Sequence, residues 1–179
     1  KNLDNKIPIL VIGALSNTLV RDGGIKGIAI KLGETFNSIA IKKNFIEVGA
    51  SLLNMKFAKF AKNNKLSGFD FLSGIPGTIG GSIKMNAGCY GSDMSNILHE
   101  VKIIDRIKGM YSLSNKDLNM SYRKTILSNE AIIVSAVLKY NQEDKDSKYD
   151  IDLKSKRAQS QPINKLTGGS TFKNPSGYQ

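Results

Sequence analysis

Cysteine and histidine are almost absent from this sequence, which has one of each and no tryptophan. A single cysteine, Cys89, cannot form an internal disulfide, and one histidine, His99, cannot build a zinc site by itself. The sequence therefore predicts a cytoplasmic protein without a metal site. We interpret Cys89 as a small packing residue and His99 as an ordinary strand residue.

Long hydrophobic runs are also missing. A transmembrane helix needs about 18 consecutive apolar residues, and no stretch approaches that length. Residues 7–15 follow two lysines like the apolar part of a signal peptide, yet no initiator Met precedes them and Asp22 comes soon after. We interpret this stretch as a buried strand, and we expect no membrane insertion.

Acidic residues are scarce relative to basic ones. The sequence has 15 Asp and Glu against 26 Lys and Arg, a formal charge of +11. Such a field attracts phosphates, nucleic acid or anionic lipid, although a lysine-rich surface without a specific partner is an equal alternative. Because no arginine-rich run or aromatic-basic interleaving is present, no nucleic acid is expected as a partner.

What is present is the composition of a folding chain, with 40% hydrophobic residues in 179, enough for one domain or two small ones. Short β-branched runs predict strands over 7–12, 27–32, 38–42, 45–48, 97–105, 110–113 and 131–140. The first is expected to be buried on both faces, and the next three to form a small sheet. Helical spacing predicts a helix over 51–64 with Ser51 as its N-cap, and another over 152–161.

A segment with seven glycines, from Gly68 to Gly91, is too rich in glycine for regular structure and too apolar for a solvated linker. Glycines around Pro76 allow close backbone approach, as in loops that bind pyrophosphate through main-chain amides. It is neither a P-loop nor a dinucleotide-binding fingerprint, because the lysine of the former and the strand-turn-helix context of the latter are missing. A glycine-rich turn packed under a sheet is the alternative.

Three shorter motifs are candidates for chemistry. Residues 13–17 follow a strand and can expose amides to an anion, although a tight turn between strands would look the same. Arg123 offers a planar fork of donors to a developing anion, whereas taken alone a surface salt bridge is the simpler interpretation. Near the end of the chain, two glycines present Ser170. No histidine lies near it in sequence, so a serine-hydrolase triad is not expected.

In order, these segments resemble the UDP-N-acetylenolpyruvoylglucosamine reductase family, flavoenzymes of peptidoglycan synthesis. The strongest match is Gly74-Ile-Pro-Gly-Thr-Ile-Gly-Gly81, followed by Met85-Asn-Ala-Gly88 and Tyr90-Gly91. Gly-Ile-Pro-Gly alone also occurs in related flavin oxidases, but the Tyr-Arg and Gly-Ser-x-Phe-Lys-Asn-Pro elements do not accompany it there. The resemblance runs from the strand before Gly13 to Pro175.

The resemblance implies an α+β fold, a two-subdomain FAD-binding domain of the vanillyl-alcohol-oxidase type. The first subdomain would span 1–33 and lack its N-terminal part, and the second would span 34–150. Residues 151–179 would begin a separate α/β substrate-binding domain. By this comparison the chain is expected to be cut short at both ends. A catalytic glutamate of the family would lie beyond Gln179.

The implied reaction uses NADPH as hydride donor, FAD as cofactor and a UDP-sugar as substrate, in a monomer. An enolpyruvyl group becomes the lactyl ether of UDP-N-acetylmuramate. By resemblance, Ser170 is the general acid and Arg123 stabilises the enolate. Substrate contacts are expected from Tyr122, Lys173 and Asn174. Cofactor contacts are expected from Gly13, Leu15, Ser16, Asn17, Gly74, Ile75, Pro76, Gly77, Thr78, Gly80, Gly81, Asn86, Ala87 and Gly91.

Two other functions stay open. A flavin oxidase or dehydrogenase of the same superfamily would be favoured by a histidine placed for covalent flavin attachment, and His99 is not so placed. A flavin- or anion-binding remnant without catalysis is favoured by Leu15, which replaces a family glycine beside the flavin, and by the missing C-terminal part. The presence of Ser170 and Arg123 speaks against such a remnant.

Overall fold

The computed structural model describes residues 6–140 and 172–175, which form a mixed α/β fold. The described strands are β1 (Ile9–Ile12), β2 (Ile28–Lys31), β3 (Ile39–Lys42), β4 (Phe45–Gly49), β5 (Gly88–Cys89), β6 (Ser92–Asp93), β7 (Leu98–Asp105), β8 (Gly109–Ser114) and β9 (Ile132–Lys139). The described α-helices are α1 (Asn54–Asn63), α2 (Ile79–Lys84) and α3 (Met94–Ile97). Short 3₁₀ turns cover Glu34–Phe36 and Asp70–Gly74.

The core is built on one antiparallel sheet, in the order β3-β4-β9-β7-β8. In β4 and in the second half of β9 buried residues alternate with more exposed ones, and Ile46, Val48 and Leu138 lie in the core with no exposed surface. The strands predicted from residue 38 onwards are confirmed, with ends shifted by at most one residue. His99 lies in β7 and stacks on Phe45, as expected of an ordinary strand residue.

The N-terminal strands form a separate parallel pair, with Ile9 opposite Ile28. The expectation that the first strand is buried on both faces is wrong, since Leu10 is 38% exposed. Among the described residues β1 pairs with β2 alone, outside the five-stranded sheet. The predicted small sheet is also wrong, because β2 joins β1 while β3 and β4 join the main sheet.

Helix α1 packs the predicted apolar face onto the core. Phe57 and Ala61 are buried, and the Phe57 ring meets the Phe69 ring edge-on, with centroids 4.9 Å apart. The predicted N-cap is wrong, because the N-cap is Leu53, which has extended backbone angles and forms a β-bridge with Thr78. The Ser51 hydroxyl instead donates to the Gly33 carbonyl, 3.0 Å away.

The glycine-rich segment contains helix α2, so the expectation that it has no regular structure is wrong. Thr78 caps this helix, because its hydroxyl accepts a hydrogen bond from the Gly81 amide at 3.3 Å. Ile79 and Ile83 anchor the helix in the core, where neither has exposed surface. A capped turn with two core anchors therefore outweighs the weak helix propensity of its glycines.

Several predictions fall outside the described residues. The helix over 152–161 and Ser170 belong to this group. The subdomain limits at residues 33 and 150 stay predictions. In the part of the chain that the structure describes, no helix combines the length and the apolar character needed to cross a membrane.

The buried aromatic pair gives a test of the core. Replacing Phe57 with Ala should lower the free energy of unfolding by about 3–5 kcal/mol, because the cavity removes contacts on every side of the ring. Urea unfolding of the purified protein measures the change. Met55→Ala, on the same helix at a position 63% exposed, is the matched control and should change stability little. Equal losses in both variants would contradict this packing.

Candidate functional site

Two predicted loops meet at the carboxyl end of β1. The Ser16 hydroxyl donates to the Pro76 carbonyl at 2.9 Å, which joins residues 13–17 to the glycine-rich segment. The approach leaves no room for side chains. A Cβ atom added to Gly13 would lie 2.7 Å from Thr78 Oγ1, and one added to Gly77 would lie 3.1 Å from Ser16 Oγ. The glycines thus allow two loops 60 residues apart in sequence to touch.

Some backbone amides of the two loops donate hydrogen bonds within the protein, and others have no acceptor among the described residues. The amides of Ile79 and Gly80 donate to the Leu52 and Ala50 carbonyls, both at 2.9 Å, so they hold α2 in place. By contrast, no acceptor within residues 6–140 and 172–175 pairs with the amides of Ser16, Asn17, Gly77 and Thr78. Clustered unpaired amides of this kind bind anions.

Leu15 has a backbone conformation that suits glycine. Its φ of 58° lies in the left-handed region, which costs an L-residue roughly 1–2 kcal/mol. The side chain is 49% exposed. The family that the sequence resembles has a glycine at this position. The left-handed φ gives a physical reason for that glycine.

The second part of the site is the turn that carries Arg123. Ser121 and Lys124 exchange backbone hydrogen bonds of 2.9 and 3.0 Å, which places Tyr122 and Arg123 at the corner of a tight turn. Arg123 has a φ of 54°, again left-handed. Its guanidinium carbon lies 4.9 Å from the centroid of the Tyr122 ring, in a cation–π contact.

The Arg123 guanidinium is held by carbonyl groups. It donates to the Gly88 carbonyl at 2.8 Å and to the Asn86 carbonyl at 3.4 Å. The simple expectation of a surface salt bridge is therefore wrong within the described residues, where the ion pairs involve other basic groups. The segment that follows α2 thus contacts the Tyr-Arg turn directly.

Asn86 is almost entirely buried, at 2% exposure. Its amide nitrogen donates to the Asp93 carboxylate at 3.1 Å and to the Ser121 carbonyl at 3.0 Å, and its amide oxygen accepts from the Ser95 amide. The Asn86 backbone amide also donates internally, to the Ile83 carbonyl at 3.1 Å, so no N–H group of this residue is left for a cofactor. Sequence reasoning missed this bracing role, because a Met-Asn-Ala-Gly string does not show which side chains turn inward.

The remaining predicted residues occupy several positions around these loops. The Asn174 amide donates to the Tyr122 hydroxyl at 3.3 Å, whereas Lys173 is exposed. Ala87 bonds internally, through its amide to the Ser82 carbonyl and through its own carbonyl to the Met94 amide. Gly91 has a φ of 80°, with open space where a side chain would be. Ser170 lies outside the described residues.

A lysine that sequence reasoning did not single out supports the same region. The Lys84 ammonium, at the end of α2, donates to the Leu127 and Ser128 carbonyls, both at 2.9 Å. Burial lowers the pKa of Lys84, because desolvation disfavours the charged form. The described residues contain no group of three or more His, Cys, Asp or Glu side chains that could hold a metal ion.

The left-handed conformation of Leu15 can be tested by paired substitutions. Leu15→Gly should be more stable than Leu15→Ala by about 1 kcal/mol, because both remove the same exposed side chain and only glycine tolerates this φ without strain. Urea unfolding of the two variants gives the difference. An alanine variant at least as stable as the glycine variant would mean that φ at this position is negative.

Relatives of known name match almost the whole of this chain. A UDP-N-acetylenolpyruvoylglucosamine reductase of Rickettsia conorii is 44% identical over 174 residues, which cover 96% of this chain and 59% of that protein. The corresponding protein of Rickettsia typhi is 44% identical over 97% of this chain. The resemblance inferred from the motifs is thereby confirmed. The chain spans about 60% of the length of the curated relatives that it matches.

A solved structure of a protein with the same name has a similar fold. The UDP-N-acetylenolpyruvylglucosamine reductase (MurB) of Thermus caldophilus superposes with a TM-score of 0.83 and 28% identity, over 97% of this chain and 64% of that one. A cholesterol oxidase of Brevibacterium sterolicum, 15% identical with a TM-score of 0.57, shares the fold alone. The sequence model of the FAD binding domain family matches residues 2–111, more than half of the chain. This chain therefore belongs to the FAD binding domain family.

Proposed function

We propose that this chain is the FAD-binding part of a reductase that uses NADPH to convert the enolpyruvyl group of a UDP-sugar into a lactyl ether. The observation that carries the proposal is the joining of the two amide-bearing loops through Ser16 and Pro76, together with the carbonyl-held Arg123. The names and the high similarity of the reductases described above support the choice of substrate.

The described residues fit a bound FAD. The unpaired amides of Ser16, Asn17, Gly77 and Thr78 suit a pyrophosphate, which accepts hydrogen bonds and carries negative charge. The absence of side chains at Gly13 and Gly77 leaves the backbone accessible. When bound, FAD would accept a hydride equivalent from NADPH and deliver it to the enolpyruvyl double bond.

Arg123 is proposed to bind the carboxylate of the enolpyruvyl group. Its charge is permanent, and two of its nitrogens are already fixed by carbonyls, so little reorganisation accompanies the development of negative charge on the substrate. Ser170 is proposed to donate the proton that completes the lactyl ether. Tyr122, Lys173 and Asn174 are proposed to contact the UDP-sugar, and the Asn174–Tyr122 hydrogen bond supports a shared surface for two of them.

A flavin- or anion-binding module without catalysis is the second candidate. The strained Leu15 in the cofactor loop favours it. The two candidates differ in one respect, because only the reductase passes electrons from the bound flavin to the sugar.

The deciding experiment is an anaerobic absorbance titration of the purified protein with FAD, then NADPH, then the enolpyruvyl UDP-sugar. The reductase predicts a bound-flavin spectrum that NADPH bleaches and the sugar restores. Bound flavin that the sugar does not restore would establish the binding module instead. A folded protein that binds no flavin would overturn both candidates.

The role of Arg123 has its own test. Arg123→Lys should slow the restoration of flavin absorbance by the sugar about 100-fold, because a point charge replaces a fixed planar fork of donors. Bleaching by NADPH should change little. Arg106→Lys is the matched control, since the Arg106 guanidinium binds the Ile7 carbonyl and Glu130. If Arg123→Lys restores absorbance as fast as the unmodified protein does, the proposed role is wrong.

A further inference from the structure

Arg123 sits where an arginine is not naturally stable. The left-handed region at the second corner of a tight turn favours glycine, and Arg123 has a φ of 54° there. Such a conformation persists only where surrounding contacts determine it. The contacts made around the Tyr-Arg turn therefore decide where the guanidinium points.

Asn86 makes contacts to both ends of this arrangement. Its side-chain nitrogen donates to the Ser121 carbonyl at 3.0 Å, and that carbonyl also closes the turn by accepting from the Lys124 amide at 3.0 Å. Its backbone carbonyl accepts from Arg123 Nη1 at 3.4 Å. One residue thus holds the base of the turn and the head of the arginine side chain.

The Asn86 amide is itself fixed. Its second nitrogen hydrogen goes to Asp93 Oδ2, and its oxygen accepts from the Ser95 amide, which also donates to Asp93 Oδ1. Asp93 caps α3 through that same bond. A buried side chain with three hydrogen bonds, two of them to residues at the start of α3 and one to the turn, has little rotational freedom, so it transmits the position of α3 to the turn.

We infer that Asn86 is a positioning residue, which acts through the Tyr122–Arg123 turn to aim the Arg123 guanidinium at the substrate anion. The inference rests on the proposed function for the identity of that anion. The placement of the guanidinium by Asn86 follows from the contacts alone. Asn86 itself takes no part in proton or electron transfer.

The test uses Asn86→Gly, which keeps the left-handed backbone and removes the three side-chain bonds. Asn119→Gly is the matched control, because Asn119 has the same φ of 40° and is exposed. A second variant, Asn86→Asp, keeps the acceptor for Ser95 but loses the donors to Ser121 and to Asp93, and it places a carboxylate beside that of Asp93. Circular dichroism and FAD titration show which variants keep the fold and the cofactor.

Two measurements distinguish the positioning of Arg123 by Asn86 from a purely structural role of Asn86. The first is the rate at which phenylglyoxal modifies Arg123, measured by peptide mass spectrometry. It should rise about tenfold in both Asn86 variants, because the bonds that restrain the guanidinium are weakened. The second is restoration of flavin absorbance by the sugar, which should slow about 10- to 100-fold, as expected for a displaced charged group. Bleaching by NADPH should stay within about twofold of the unmodified rate.

Each outcome decides the inference. Faster modification of Arg123 with selective loss of the sugar step supports it. Unchanged modification, or equal slowing of both steps together with weaker FAD binding, overturns it in favour of a purely structural role. If the unmodified protein does not react with the sugar, the proposed function fails, and the modification rates alone decide whether Asn86 positions Arg123.

Discussion

The contact between residues 13–17 and the segment around Pro76 is the constraint on which the rest of the site depends. It connects the parallel β1–β2 pair with the segment that leads into α2. The connection consists of one hydrogen bond and two glycine positions where a side chain would not fit. Because the approach is so close, the unpaired amides of the two loops lie near one another. Without it the chain would contain two separate loops, each with its own unpaired amides.

Much of the main sheet and helix α1 could be predicted from the sequence, because buried positions leave a recognisable pattern of apolar residues in it. Phe57 and Ala61 show the period of α1, and β9 is a nearly continuous apolar run of the kind that predicts a buried strand. The residues at which helices and strands begin and end were harder to predict. Ser51 has good cap chemistry, but the long-range bridge between Leu53 and Thr78 fixes where the helix starts, and sequence spacing does not contain that pairing.

The candidate site, too, could be predicted only in part. Recognisable motifs predicted Gly13, Gly77 and Arg123 as site residues, because close approach and charge restrict the residue type at such positions. Asn86 was predicted as a cofactor contact, whereas its side chain bonds inward to Asp93 and Ser121. Hydrogen bonds between distant segments depend on the finished fold, so no local pattern encodes them.

Backbone strain is concentrated here as well. Of the six non-glycine residues with a left-handed φ in the described part of the chain, four lie in the loops of the candidate site (Leu15, Asn86, Tyr90 and Arg123), whereas Lys65 and Asn119 lie elsewhere. Such strain is characteristic of places where function rather than stability selects the geometry. The carbonyl anchoring of Arg123 has one more consequence. Carbonyl dipoles orient a guanidinium without neutralising it, so the site keeps a full unit of positive charge, and its attraction for a ligand should scale with ligand charge and weaken with ionic strength.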